Sequence, residues 1–177
     1  LVLNIGTLTS EWIESMLIAG RSANERAIPI VLDPVGAGAT KMRTESSLRL
    51  LHELQIAVLR GNAGEIGAVA GAGGEVRGVE SIRGLDDPVA TAMALARQYK
   101  TVVAITGARD ILSDGERLIG VDNGHPWLSA NTGTGCMSTA ITGAFCAVEQ
   151  DYLIAAASAL ACFGLAAEMA AIEARGP

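Results

Sequence analysis

Short apolar runs alternate along this chain with stretches whose apolar residues recur at helical spacing. LVLNI (1–5) is the first run, and after Gly6 the segment Thr9-Ser10-Glu11 offers helix-start chemistry ahead of Trp12, Ile13, Met16 and Leu17. The pattern predicts a strand followed by a helix. Pro29 punctuates, and the unit repeats: IPIVLD (28–33) ends in a carboxylate, then comes the glycine turn PVGAGA and a helix over about residues 44–53. QIAVLR (55–60) is a third strand, leading through Gly61-Asn62 into a short helix at 63–70.

GAGGEVRGVES (71–81) reads as a mobile loop, and Asp87-Pro88 starts a helix to about Tyr99. TVVAITG (101–107) is a fourth buried strand, and Asp114-Gly115 between the apolar runs of RDILSDGERLIGV signals a hairpin. NTGTGC (131–136) opens an almost uncharged helix expected to reach Val148, followed by an Ala-rich helix over 152–173.

Strands alternating with helices predict a single α/β domain over residues 1–177, a mostly parallel central sheet flanked by helices with an antiparallel hairpin addition. Ligands of such sheets bind beyond the carboxyl ends of the strands. That rule selects Gly6-Thr7, Asp33, Arg60–Glu65, Thr106-Gly107 and the loop at 131–136.

Composition narrows the partners. Half of the 177 residues are apolar, enough for a sizeable core, and the net charge of -6 leaves no basic excess for nucleic acid or an anionic membrane surface. The three cysteines, Cys136, Cys146 and Cys162, form no C-x-x-C pair, so neither a disulfide framework nor a zinc cluster is suggested, and a reducing cytoplasm fits. The opening LVLNIG has no basic n-region or cleavage site and reads as starting inside a strand. The uncharged stretches 123–148 and 152–167 are expected to be buried segments of a soluble protein, the second being shorter than the roughly 20 residues of a membrane span.

The chemistry concentrates in T-G-T-G-C. Gly133 and Gly135 permit a backbone that turns the N–H groups of Thr134, Gly135 and Cys136 towards one point, and the helix behind them adds its positive end. That is an anion hole, or equally a tight turn for close packing. No G-x-x-x-x-G-K-[ST] occurs, and GAGGEV (71–76) lacks the context of a dinucleotide fingerprint. Asp33 and Glu65 fall where both can face one mouth, and hard carboxylate oxygens suit Mg²⁺ shared with phosphates. Singly, Asp33 is as well a turn cap and Glu65 an exposed helical charge. Arg60 offers a guanidinium for phosphate oxygens or a surface cation. Cys136 falls on the first turn of the final glycine-loop helix, facing its dipole. His52 and His125 lack metal-ligand spacing and read as structural, and Cys146 and Cys162 as core.

Taken in order, LNIGTL (3–8), DPVGAGAT (33–40), RGNAGEI (60–66), AITG (104–107), NTGTGC (131–136) and GAFCAVE (143–149) resemble the hydroxyethylthiazole kinases of the ribokinase-like superfamily. The resemblance covers essentially the whole chain. It implies transfer of the γ-phosphoryl group of ATP, with Mg²⁺, to the primary alcohol of 4-methyl-5-(2-hydroxyethyl)thiazole in thiamine salvage. Arg60 and Thr106 match nucleotide-contacting positions, Asp33 and Glu65 the Mg²⁺ and phosphate region, and Asn62 with Glu65 the N-x-x-E signature. Gly133 matches a position whose backbone approaches the thiazole, and Gly133 to Cys136 the anion hole. Related pyrimidine, pyridoxal and sugar kinases usually carry Asp where this chain has Cys136. The resemblance further implies a homotrimer with active sites between subunits, and a leading strand–helix region and carboxyl-terminal tail in full-length members. The alternatives are another ribokinase-like activity, such as a hydroxymethylpyrimidine-type kinase or an ATP-dependent NAD(P)H-hydrate dehydratase, or a non-catalytic nucleotide-binding or assembly subunit.

Overall fold

The computed structural model of the chain describes residues 1–72, 87–174 and 176. Four strands, β1 (Val2–Asn4), β2 (Val31–Asp33), β3 (Val58–Asn62) and β4 (Val102–Thr106), lie side by side in chain order and are parallel. β5 (Asp110–Ser113) and β6 (Leu118–Val121) extend the sheet antiparallel, as the hairpin signal predicts. The loop expected at 71–81 lies outside the described residues, apart from its first two, which close a helix.

Alternation along each strand divides the sheet into two faces. Leu3, Leu32, Leu59, Val103 and Ile105 pack with Ile13, Leu17, Leu50, Ile66, Val69 and Leu95. These last six come from α1 (Ser10–Glu25), α2 (Lys41–Glu53), α3 (Ala63–Ala72) and α4 (Pro88–Tyr99). The opposite parity, Val31, Val58, Val102, Ala104 and Leu112, packs with Cys146, Leu153, Ala156 and Leu160 of α6 (Thr134–Cys146) and α7 (Tyr152–Glu173). Each fully buried Leu or Ile in these layers contributes about 1.5–3 kcal/mol. The result is a helix–sheet–helix sandwich.

Local chemistry sets the helix starts. Thr9 accepts from the Trp12 N–H, Thr40 from Arg43, Asp87 from Ala90, and Asp151 from Leu153 and Ile154. Because Thr40 serves as the cap, α2 begins at Lys41, earlier than periodicity alone suggests. α6 ends at Cys146, short of Val148, whose side chain is exposed. A single helical turn, α5 (Trp127–Ala130), precedes the glycine loop; the apolar pattern gives no sign of it, since it is too short to show a period.

α7 is long and apolar enough to cross a membrane by length and composition. Its Leu153, Ala155, Ala156, Ala157 and Leu160 pack in the second layer. Cys146 is buried as expected, whereas Cys162 is exposed: it lies on the outer side of α7, so the expectation of a core position fails there.

Candidate active site

Strand parity places Asn4, Asp33 and Arg60 on the face that carries α6. Asn4 and Asp33 are register partners at the ends of β1 and β2, and Arg60 follows Val58 by two residues on the adjacent β3. Three polar side chains therefore stand in a row at the carboxyl edge of the parallel strands, under the start of α6.

Asp33 is 1% exposed. Its Oδ2 accepts from Asn4 Nδ2 at 2.9 Å and from the Thr139 hydroxyl at 2.9 Å, while Oδ1 is buried without a hydrogen-bond partner among the described residues. Burial raises its pKa above the usual carboxylate value; the charge of Arg60 and the Thr139 hydrogen bond oppose this, Glu65 adds to it, and Asn4 opposes it.

Arg60 is 8% exposed, and its Nε also lacks a hydrogen-bond partner among the described residues. Its guanidinium runs beneath the first turn of α6, where a Cβ built on Gly135 would stand 3.0 Å from Nη1. Asp110, at the start of β5, is a further acid within its field. Burial raises the Asp110 pKa, while the Gly107 N–H, bonded to Oδ1 at 2.9 Å, and Arg60 act against it.

α6 starts without a side-chain cap. Gly133 takes its N-cap position at φ +99°, with open space where a side chain would be, and the Thr134 hydroxyl points back to the Leu128 carbonyl at 2.7 Å. The opening turn thus offers its backbone N–H groups and the positive end of the dipole to an anion rather than to its own sequence. Both readings of T-G-T-G-C stand in this arrangement: the turn has no side-chain cap, and Gly135 also allows the close approach of Arg60. Cys136 is exposed on the same turn, its Sγ 3.3 Å from Asn4 Nδ2.

The segment RGNAGEI turns from β3 into α3 through a reciprocal cap. Asn62 Oδ1 accepts the Glu65 N–H and Glu65 Oε2 accepts the Asn62 N–H, both at 2.9 Å. The other Glu65 oxygen accepts the Gly36 N–H at 2.9 Å, tying the glycine turn after Asp33 to the start of α3. Arg43 of α2 fastens the same region, donating to the carbonyls of Ile5, Val35 and Gly6 at 2.8–3.0 Å. Thr106 pairs in register with Asn62, and its hydroxyl donates to the Gly61 carbonyl at 3.3 Å.

The structure therefore gathers Asp33, Arg60, Asn62, Glu65, Thr106 and the loop Gly133–Cys136 at one edge of the sheet. His52 and His125 stand apart, in edge-on contacts with Tyr99 and Trp127. Sequence reasoning does not single out Asn4, Arg43, Asp110 or Thr139. Thr139 was within reach, because it lies three residues after Cys136 and so shares its helical face.

Mg²⁺ with a polyphosphate fits these residues. The Oδ1 of Asp33 and Nε of Arg60 are an oxygen donor and a cationic N–H without a hydrogen-bond partner among the described residues. Among the described residues no three His, Cys, Asp or Glu side chains could enclose a metal by themselves. Mg²⁺ is ordinarily bound by one or two carboxylates plus water and substrate phosphates, and Asp33 with its unpaired Oδ1 is such a carboxylate among the described residues.

Comparison with known proteins identifies the relatives of this chain. The family model described as "Hydroxyethylthiazole kinase family" matches residues 1–177. The hydroxyethylthiazole kinase of Chloroflexus aggregans is 66% identical over 177 residues, all of this chain and 64% of that protein. The solved hydroxyethylthiazole kinase of Pyrococcus horikoshii OT3 is 51% identical, superposes with a TM-score of 0.89, and is matched over 99% of this chain and 65% of its own. Pyridoxal kinase from Bacillus subtilis, solved as an ADP complex, shares the fold at 22% identity, with a TM-score of 0.60 over 86% of this chain and 60% of that one. The fold is accordingly ribokinase-like, and the chain spans slightly less than two thirds of the length of these relatives. The full-length family match and this level of identity establish that the chain belongs to the hydroxyethylthiazole kinase family.

Proposed function

We propose that this domain carries the phosphoryl-transfer site for phosphorylation of 4-methyl-5-(2-hydroxyethyl)thiazole by ATP. The observation that carries the reading is the uncapped, glycine-bearing start of α6, set directly over a buried Arg60 and Asp33 that each keep a polar atom without a hydrogen-bond partner among the described residues. Family membership supplies the substrate class.

In this reading the alcohol oxygen bonds to the γ-phosphorus as the bond to the bridging oxygen breaks, ADP leaving with the electron pair. Phosphoryl transfer passes through a loose transition state in most analyses, so positioning and charge stabilisation dominate. Arg60 and the N–H groups of Thr134, Gly135 and Cys136 hold the charge of the transferring group, and Thr106 and Asn62 border the nucleotide. Gly133 lies against the thiazole. Cys136 orients the alcohol and is the group placed to take its proton as transfer proceeds. Asp33 and Glu65 are the carboxylates that would hold Mg²⁺, which when bound neutralises phosphate charge. Removing one oxyanion donor typically costs about 3–4 kcal/mol, which sets the scale for each N–H of the loop.

The reading extends to a cytoplasmic homotrimer with sites shared between subunits, acting on a small thiazole alcohol, with neither nucleic acid nor membrane as partner. The test is ATP consumption with the thiazole alcohol, product phosphate identified by mass spectrometry, alongside mass photometry. Thiazole-dependent turnover supports the kinase. Trimers that bind nucleotide without turnover favour a non-catalytic assembly role, and turnover only with pyrimidine alcohols would point to a relative.

A further inference from the structure

We infer that Asn4 is a positioning residue that couples Asp33 to Cys136. The inference rests on the phosphoryl-transfer reading for its consequence, but its geometry stands apart from it. A primary amide has one acceptor oxygen and two N–H donors. In Asn4 all three are engaged: Oδ1 accepts the Gly6 N–H at 2.8 Å, and Nδ2 donates to Asp33 Oδ2 at 2.9 Å and reaches Cys136 Sγ at 3.3 Å. The Gly6 contact fixes which way the amide faces, so the donors have to point at the carboxylate and the sulfur.

Two results follow at the site. Asp33 Oδ2 is filled by Asn4 together with Thr139, which sets the carboxylate's rotation and leaves Oδ1 as the oxygen without a hydrogen-bond partner among the described residues. The sulfur receives an N–H donor, which stabilises negative charge on it and holds it against the edge of β1. One planar group thereby fixes the spacing between the carboxylate of β2 and the thiol of α6, residues 103 positions apart in sequence. Asp at position 4 would keep the acceptor for Gly6 but present no donor, and Gln is a methylene too long, so the amide of Asn is specific to the task.

The experiment compares wild type, Asn4→Ala, Asn4→Asp, Cys136→Ala and the Asn4→Ala/Cys136→Ala double variant. Two readouts are taken: steady-state kinetics, and the alkylation rate of Cys136 by iodoacetamide at neutral pH, mapped by mass spectrometry with exposed Cys162 as internal reference. Asn4→Ala is expected to lower kcat about 10-fold while leaving the KM for ATP within about threefold, and to lose most of that effect on the Cys136→Ala background. It is also expected to slow Cys136 alkylation about threefold or more relative to Cys162, because the donor stabilising the reacting sulfur is gone. Asn4→Asp, which keeps the Gly6 contact, is expected to match or exceed both losses, and it carries the test if the alanine variant does not fold. Multiplicative losses in the double variant together with an unchanged Cys136 to Cys162 ratio would overturn the inference. Absence of thiazole turnover in the wild type would instead sink the kinase reading, and the alkylation ratio then decides the role of Asn4 alone.

Discussion

Arg60 lies close against Gly135: a Cβ at position 135 would sit 3.0 Å from Nη1, tighter than an ordinary contact, so the guanidinium would have to give by a few tenths of an ångström. Arg60 is buried. Gly135→Ala should therefore displace the guanidinium from beneath the opening turn of α6 and raise the KM for ATP about 10-fold, equivalent to about 1.4 kcal/mol. Alanine is also the better helix former by about 1 kcal/mol, which offsets the crowding, so the melting temperature should stay nearly constant. Steady-state kinetics beside a thermal melt separate the two effects. An unchanged KM would mean that the close approach has no part in nucleotide binding.

Cys136 presents its sulfur at the exposed end of the same turn. If it orients the alcohol and takes its proton, Cys136→Ala should lower kcat about 100-fold, the scale of a lost general base, while altering KM much less. Single-turnover measurements, in which chemistry limits the signal, give the decisive comparison. Equal single-turnover rates would leave Cys136 as packing.

The three thiols should divide by exposure. Cys136 and Cys162 are exposed, whereas Cys146 is buried between α6 and the sheet, and that burial pushes its thiol up to about 11. The native chain treated with iodoacetamide near neutral pH should be labelled at the first two positions only, with Cys146 reacting after unfolding. Labelling of Cys146 at the rate of Cys162 in native buffer would show that α6 opens readily from the sheet.

The strands, their mostly parallel order and the glycine loop were legible because each rests on local signals: apolar runs, turn residues and the thiol after T-G-T-G. What was not legible depends on register. Asn4 enters the site because it is opposite Asp33 across two strands, a pairing invisible in LVLNIG alone, and Asp110 because β5 returns antiparallel beside Thr106. Cys162 shows the limit of composition: an Ala-rich, uncharged helix has no polar stripe to say which side faces out. N-x-x-E of RGNAGEI had two readings in the sequence, a family signature and a capping box. The hydrogen bonds show the cap, and its role towards nucleotide belongs to the proposal.

Acid should weaken the fold through the β5–β6 hairpin. Asp114 opens its four-residue loop. Burial on its own would raise the Asp114 pKa, but the N–H groups of Arg117 and Glu116 and the Arg117 guanidinium outweigh it and hold the carboxyl at about 2. Arg117 also pairs with Asp151, the cap of α7, and so joins the hairpin to that helix. A carboxylate whose folded pKa is depressed contributes stability that is fully present above its unfolded value of about 3.9 and is lost as pH falls through the folded one. The window is therefore from about pH 4 down to about pH 2. Asp114→Asn keeps an acceptor for the loop N–H groups but removes the charge, so it should cost about 1 kcal/mol at neutral pH, the scale of a partly exposed ion pair. Its stability should then fall less steeply than wild type across that window. Asp33 and Asp110, both raised, are common to the two proteins and cancel in the comparison. Urea midpoints collected from neutral pH down to the lower end of the window provide the measurement, and parallel curves would remove Asp114 from the account of acid sensitivity.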